Sequence, residues 1–268
     1  MATERVLPDP GAGLDPATMP AHWLLAQMGK TVMRPGGGDV SDVMLRGLGI
    51  GPEDDVVDLA PGLGTTVRRV EALRPRSFHG LDRTEVEAER SRRQVSAVPY
   101  TCVVAHPSDT GLPTGSASVL YGEACLSLET NSSKAAILTE AARLLRPGGR
   151  LGLHELLLTP DDLPAERKRE VGIQISQAVR VGARPLTRAE WTDLLAEHGF
   201  QVTVFAPSPM LLLSPATVVR DEGVAGTARL VGNILRRPVV TRRVAHLWRV
   251  MHRLRHNLGA TAIIAVRD

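Results

Sequence analysis

Asp54-Asp55-Val56-Val57-Asp58-Leu59-Ala60-Pro61-Gly62-Leu63-Gly64-Thr65-Thr66 is the stretch whose reading decides the fold. A short apolar run ends on a carboxylate, a turn with two glycines follows, and a helix then begins. Gly62 and Gly64 have no Cβ, so the backbone can take left-handed angles there and approach a ligand closely. In an open α/β sheet such a turn lies at the carboxyl end of a strand, where ligands bind. An isolated Gly-x-Gly also suits an ordinary strand-to-helix turn. The rest of the chain has to choose between the two.

Downstream the pattern alternates. Val56–Leu59 reads as a first strand and Thr65–Leu73 as its helix. Ser77–Asp82 is a second strand ending on another carboxylate, followed by a charged helix over Arg83–Val95. Strands at Tyr100–Ala105, Ala117–Glu123 and Arg150–Leu158 follow, with a helix capped by Ser132 or Ser133 and closed by Arg146-Pro147-Gly148-Gly149. Strands spaced by helices of this length predict right-handed crossovers and a mostly parallel sheet. Beyond the fifth strand come an extra helix over Pro164–Val181, a helix Arg188–His198 capped by Thr187, and a strand Phe200–Phe205. The last strand is expected at Ala260–Arg267, after an insertion of about 50 residues, far more than a hairpin turn requires.

Upstream, residues 1–17 are rich in Pro, Gly and Asp and read as a loose arm. A short helix at Ala21–Met28 and a second one capped by Asp39 or Ser41, burying Val43, Met44 and Leu48, complete an N-terminal extension.

Composition narrows the class. Hydrophobic residues are 43% of the 268 but aromatics only 3%, so the core rests on Leu, Val, Ala and Ile. No apolar run reaches the roughly 18 residues of a membrane span, and the N-terminus lacks the apolar centre of a secretion signal. Cys102 and Cys125 have neither zinc-site spacing nor the density of a disulfide scaffold, and no metal site is expected. The expectation is a cytoplasmic protein. A net charge of +3 does not by itself imply nucleic-acid binding.

Asp82 stands 20 residues after Gly62, where either a dinucleotide fold or a methyltransferase fold places the acid that accepts hydrogen bonds from ribose hydroxyls. The turn separates the two. A dinucleotide turn needs a third glycine three residues after the second, and here Thr65, Thr66 and Val67 follow Gly64. Asp58, just ahead of the loop, could meet a cationic ligand directly or through water.

Val57-Asp58-Leu59-Ala60-Pro61-Gly62-Leu63-Gly64 resembles the first motif of class I S-adenosylmethionine-dependent methyltransferases of the small-molecule type. His79-Gly80-Leu81-Asp82 resembles their second-strand motif. Asp109-Thr110-Gly111-Leu112-Pro113 with Ala117-Ser118-Val119-Leu120 resembles the loop and strand that bracket the adenine. Ala142 to Leu151 resembles the helix, turn and fifth strand. The resemblance spans residues 50–205. It implies an α/β, Rossmann-like class I methyltransferase fold with a seven-stranded, mostly parallel sheet. It divides the chain into an N-terminal helical cap over 1–49 and a methyltransferase domain over 50–268, with helical cap insertions at about 160–186 and 207–258. It further implies that Asp58 and the backbone of Ala60, Pro61, Gly62 and Gly64 hold the amino-acid end of S-adenosylmethionine. Asp82 would take the ribose, with Arg83 beside the adenine, and Glu123 and Ala124 would lie next to the methyl donor. S-adenosylhomocysteine would be the product. One departure stands out: family members carry Gly-Asp-Ala after the third strand, where this chain reads Ala105-His106-Pro107. His106 or Asp109 could replace the missing acid, and Asp109 could equally cap a turn.

Methyl transfer from a sulfonium rests on alignment, and a base matters only for acceptors that start protonated. His154 and Glu155, at the end of the fifth strand, are candidates, although neighbours in a strand point to opposite faces and at most one can aim at the substrate. His22, beside Trp23, is another if its helix folds over the cofactor; Trp23 could simply pack that helix down.

Arg229–Leu258 contains eight arginines, three histidines and no acid, with Val244, Leu247, Trp248, Met251, Leu254 and Leu258 at helical spacing. This basic amphipathic helix either packs on the domain with solvated arginines, or serves as a lid, or docks on an anionic substrate or membrane surface. Nucleic acid is disfavoured for want of aromatics, and cap segments of this length could exchange in a homodimer. The expected activity is methyl transfer to a small apolar or aromatic acceptor. The alternatives are a cofactor-binding protein without turnover and an NAD(P)-dependent oxidoreductase.

Overall fold

The computed structural model describes residues 7–95 and 98–268. Two valines with no room for solvent make the first strand, β1 (Asp55–Asp58), at the centre of the sheet. β2 (Ser77–Asp82) and β3 (Tyr100–Val104) extend it on one side, β4 (Ala117–Glu123) and β5 (Leu145–Leu158) on the other. These five run parallel. β8 (Leu258–Arg267) is antiparallel to β5 on one side and to β7 (Phe200–Pro209) on the other, giving the order β3-β2-β1-β4-β5-β8-β7. A two-residue strand, β6 (Leu186–Thr187), pairs with the end of β5 and brings the count to eight among the described residues. The chain winds outward from β1 in both directions. The crevice therefore opens over the carboxyl ends of β1 and β4, where the strand order reverses.

Helices cover both faces. α2 (Gly38–Leu48) and α3 (Thr65–Glu71) bury Met44, Leu48, Val67 and Val70 against Phe78, Tyr121 and Ile264. α5 (Asn131–Leu144) and α7 (Arg188–Ala196) bury Ile137, Leu138, Trp191 and Leu195 on the opposite face. Each such side chain contributes about 1.5–3 kcal/mol by leaving water. The charged α4 (Glu85–Arg92) flanks β3, with the Thr84 hydroxyl accepting from the Glu87 N–H. A third apolar cluster lies over the crevice, made by α1 (Ala21–Met28), α6 (Ala165–Val179) and the inner face of α9 (Pro238–Leu254). α8 (Pro215–Leu235), with a non-helical Gly223 inside it, packs on α9 and α1.

Several expected boundaries move for identifiable reasons. α2 starts at Gly38 with Gly37 as its cap, not at Asp39 or Ser41, because Asp221 on α8 supplies the acceptor for the Gly38 N–H at 3.1 Å. Thr130, not Ser132 or Ser133, caps α5, its hydroxyl accepting from the Ser133 N–H. The insertion before the last strand holds two helices rather than one. Trp248 leaves the expected apolar stripe, facing solvent against His252 while Val250 takes the buried position. The first six residues of the expected loose arm lie outside the described residues. From Leu7 on, the arm lies on the fold: Pro8 O accepts from Arg90, and Gly11 O accepts from Gln27 at 3.1 Å. Among the described residues no helix is long and apolar enough to cross a membrane.

Candidate active site

Two cavities meet above the crevice. The larger, about 1250 Å³ and open to solvent, runs over the 60–63 loop and the ends of β2 and β4. Gly62 and Gly64 take left-handed φ angles of 58° and 75°, and a Cβ on Gly62 would meet no atom closer than 3.9 Å, so the loop presents bare backbone to the cleft. Val67, where a dinucleotide turn would have its third glycine, is fully buried and packs α3 on the sheet.

Acidic groups dominate the cleft floor. Asp58 is buried and accepts from the Ala60 N–H at 3.0 Å; burial pushes its carboxyl up to about 7. Asp82 accepts from the Gly62 N–H at 3.2 Å, and burial, reinforced by Glu87 and Asp58, raises it to about 7 as well. Arg34 reaches in from the N-terminal extension, its Nε 3.0 Å from Glu123. Burial would push Glu123 up, but Arg34, His154 and Ser41 outweigh it and hold this carboxyl well below the ordinary range.

The second cavity, about 680 Å³, is walled by Leu25, Leu156, Ile175, Met210, Leu247 and Met251, among others, and carries no formally charged side chain. Its polar side chains are His22 and Ser127. His22, Met33, Ala124, Leu128 and Val181 line both cavities and so mark where they join. Burial lowers His22 to about 4, so its imidazole is neutral at pH 7. Ala124 sits at the junction with a left-handed φ of 55°, its N–H donating to His154 O at 2.7 Å. Strain of this kind costs about 1 kcal/mol. Glycine's extra backbone entropy offsets about half of that, so Ala124→Gly is expected to raise Tm by about a degree or two in a thermal melt, at about 2–4 °C per kcal/mol for a chain of this size. A fall would mean that the lost methyl contacts outweigh the strain.

Besides His22 at the junction, the expected site residues fall into three groups. Asp58, Ala60, Pro61, Gly62, Gly64, Asp82, Arg83, Glu123 and Ala124 cluster at the cleft, all but Asp58, Pro61 and Gly64 on its wall; Asp58 and Pro61 lie just beneath it and Gly64 caps α3. His106 and Asp109 face solvent, the His106 ring on Ser108 at 2.7 Å; Pro107 between them lines the cleft instead. His154 and Glu155 are fully buried and reach neither cavity. The His154 Nε2 faces Pro35 O, an acceptor only, so that nitrogen carries the proton. Its Nδ1 lies 3.1 Å from Ser41 Oγ and 3.4 Å from Glu123. The Glu155 carboxyl accepts from the N–H groups of Cys125, Leu126 and Ser127 at 3.1, 2.9 and 2.9 Å, which shapes the loop between the cavities.

The residues that sequence reasoning missed are mostly contributed by distant segments. Arg34 sits in a run, Met33-Arg34-Pro35-Gly36-Gly37-Gly38, that reads only as a chain break. Ser41 and Thr66 both donate to Glu123, and nothing in their local pattern points there. Leu63, Leu81 and Pro107 supply an apolar wall to the cleft.

Residues 57–153, from β1 to β5, match the family described as a methyltransferase domain. Over 219 residues the protein is 26% identical to an uncharacterised protein of Haemophilus influenzae, across 80% of this chain and 85% of that one. It is 32% identical over 125 residues to 27-O-demethylrifamycin SV methyltransferase of Amycolatopsis mediterranei, but covers only 46% of that protein's length. Among solved structures, the [4+2]-cyclase SpnF superposes with a TM-score of 0.65 at 16% identity, covering 91% of this chain and 90% of that one. The geranyl diphosphate C-methyltransferase of Streptomyces coelicolor, solved with S-adenosylhomocysteine, gives a TM-score of 0.60 at 16% identity, covering 85% and 78%.

Proposed function

We propose that this protein transfers a methyl group from S-adenosylmethionine to a small, uncharged, apolar or aromatic acceptor held beneath α1, α6 and α9. The observation that carries the reading is the junction of an acid-floored cleft with an apolar chamber at His22 and Ala124. The residues present fit the cofactor. Asp58 and Arg34, with the bare backbone of 60–64, suit the charged amino-acid end, Asp82 the ribose, and Leu63, Leu81 and Pro107 the faces of the adenine. Arg83, paired with Glu129, lies at the mouth. When bound, the cofactor supplies an electrophilic methyl on a sulfonium sulfur. Transfer of that methyl to the acceptor would leave S-adenosylhomocysteine in the cleft.

The protein's share of that chemistry is placement and exclusion of water. The residues over 1–49, described from Leu7, act as a cap, and helices inserted at about 160–186 and 207–258 complete the roof over the 50–268 domain. His22 is the titratable side chain common to both cavities, and as a neutral imidazole it accepts a hydrogen bond from a hydroxyl acceptor and orients it. His154 and Glu155 position the loop rather than touch substrate. His22→Phe is expected to lower methyl transfer roughly tenfold, the worth of one hydrogen bond, with the S-adenosylhomocysteine Kd little changed. Equal losses in both would make His22 a cofactor residue.

The test of the reading is calorimetry with S-adenosylhomocysteine, followed by labelled S-adenosylmethionine against a panel of neutral aromatic and isoprenoid-like acceptors. No heat with either ligand sinks it. Cofactor binding without any labelled product favours the second reading, a binding protein or a catalyst of another reaction. His106-Pro107 in place of the family's acid, and the superposition on a cyclase at a TM-score of 0.65, support that reading, since a fold does not name a reaction. The buried Val67 argues against a nicotinamide dinucleotide.

A further inference from the structure

The outer surface of the α8–α9 hairpin takes no part in holding cofactor or acceptor. From Arg229 to Leu258 the chain has eight arginines and no acid. The inner face is spent on packing, with Leu230, Val240, Leu247, Val250, Met251 and Leu254 buried. The turn joining the helices is exposed on every side. Leu235 is 66% exposed, Val239 48% and Val231 46%, and they interleave with the exposed Arg236, Arg237 and Arg242. Along α8, Val224, Ala228, Val231 and Leu235 recur every three or four residues and form one solvent-facing apolar stripe. The acids of this region, Asp221 and Glu222, lie at the other end of α8 and are taken up by Gly38, Lys30, Thr31 and Val32.

We propose that this hairpin turn docks on an anionic lipid surface. Leu235 and Val239 enter the boundary between headgroups and acyl chains, and Arg236, Arg237 and Arg242 meet lipid phosphates. Apolar tips between arginines suit a surface that is oily below and negative above. A second copy of the chain suits it poorly, because a two-fold contact here sets arginine against arginine with no acid to answer. Nucleic acid would find only Trp248 to stack on. The underside of α9 roofs the apolar chamber through Leu247 and Met251. A docked hairpin thus places that chamber one helix away from the bilayer.

The experiment is co-sedimentation with phosphatidylcholine vesicles with and without 30% phosphatidylglycerol, using the full chain with no cofactor or acceptor, so its outcome is separate from that of the methyl-transfer reading. Wild type is expected to sediment with the anionic vesicles only, and to be released by 0.5 M salt. The triple variant R236E/R237E/R242E, at exposed positions, is expected to lose about 100-fold or more in partition coefficient, about fivefold per arginine. L235S/V239S is expected to weaken binding at equal charge, with Tm and S-adenosylhomocysteine binding unchanged in both variants. Wild-type protein left in the supernatant, or a triple variant that binds as well as wild type, overturns the proposal. So does a dimer in size-exclusion chromatography that the triple variant dissolves, or binding to polyglutamate without binding to vesicles.

Discussion

Asp82→Ala is expected to weaken S-adenosylhomocysteine binding by about 100-fold or more, because hydrogen bonds to an ionised carboxylate are worth about 1.5–3 kcal/mol each and a ribose offers two. Asp82→Asn keeps an acceptor for the Gly62 N–H and should fall between. The same residue sets a pH dependence whose sign can be worked out. Asp58 and Asp82 titrate near 7 in the folded protein, against an ordinary value of 3.8. Between those limits the folded state holds more protons than the unfolded chain, so the stability of the free protein declines as pH rises from about 4 to about 7 and then levels off. A cationic ligand favours the ionised carboxylates and works in the opposite direction. Binding at pH 6 is expected to release on the order of one proton, visible as a calorimetric enthalpy that varies with the ionisation enthalpy of the buffer. The Kd should tighten from pH 5 to about 7, by up to tenfold per unit for each carboxylate that must ionise. A Kd flat across that range would remove both acids from the site.

Glu155→Ala should be the most damaging change to stability. Three backbone N–H groups converge on this carboxyl inside the protein, and each buried donor left without a partner costs about 1–3 kcal/mol. A total near 4 kcal/mol corresponds to a drop in Tm of roughly 10 °C for a chain of this length. Glu155→Gln retains one acceptor oxygen and should recover about half of the loss. The same loop, Cys125 to Ser127, forms the wall between cleft and chamber. The glutamine variant should therefore lose methyl transfer out of proportion to its melting temperature. An alanine variant that melts like wild type would show that water replaces the carboxyl.

The fold was legible because local signals agreed. Val56 and Val57 bounded by acids and glycines, Gly49 closing α2, and the Thr187–Glu190 capping box each demand one local structure, and the sheet follows from their sequence order. The cleft floor was legible for the same reason: Asp58, Asp82 and the 60–64 loop lie at strand ends, which the alternating pattern locates. What sequence did not reveal was recruited from far away. The sequence pattern places His154 at the end of the fifth strand, but β5 runs on to Leu158 and the residue lies inside it, level with the end of β4. Its ring is consumed by Pro35 and Ser41, over 100 residues upstream. Arg34 becomes a cleft residue only because the segment after α1 folds back over β4. Helical periodicity placed Leu247 and Met251 correctly but not Trp248, since a residue at the edge of an apolar stripe turns inward or outward according to its tertiary neighbours.

The roof segment leaves the sheet after Pro209 and returns at Gly259, and these two residues stand opposite each other in the β7–β8 register. Everything between them is a single excursion that departs from and rejoins one rung of the ladder. Apart from Asp221 and Glu222, which anchor residues 30–38, and Leu258, which pairs with Leu158, such an excursion can be lengthened, shortened or rewritten without shifting any pairing in the sheet. The sheet and the loop over Asp58 and Gly62 are thereby built independently of the length of the segment that roofs the apolar chamber.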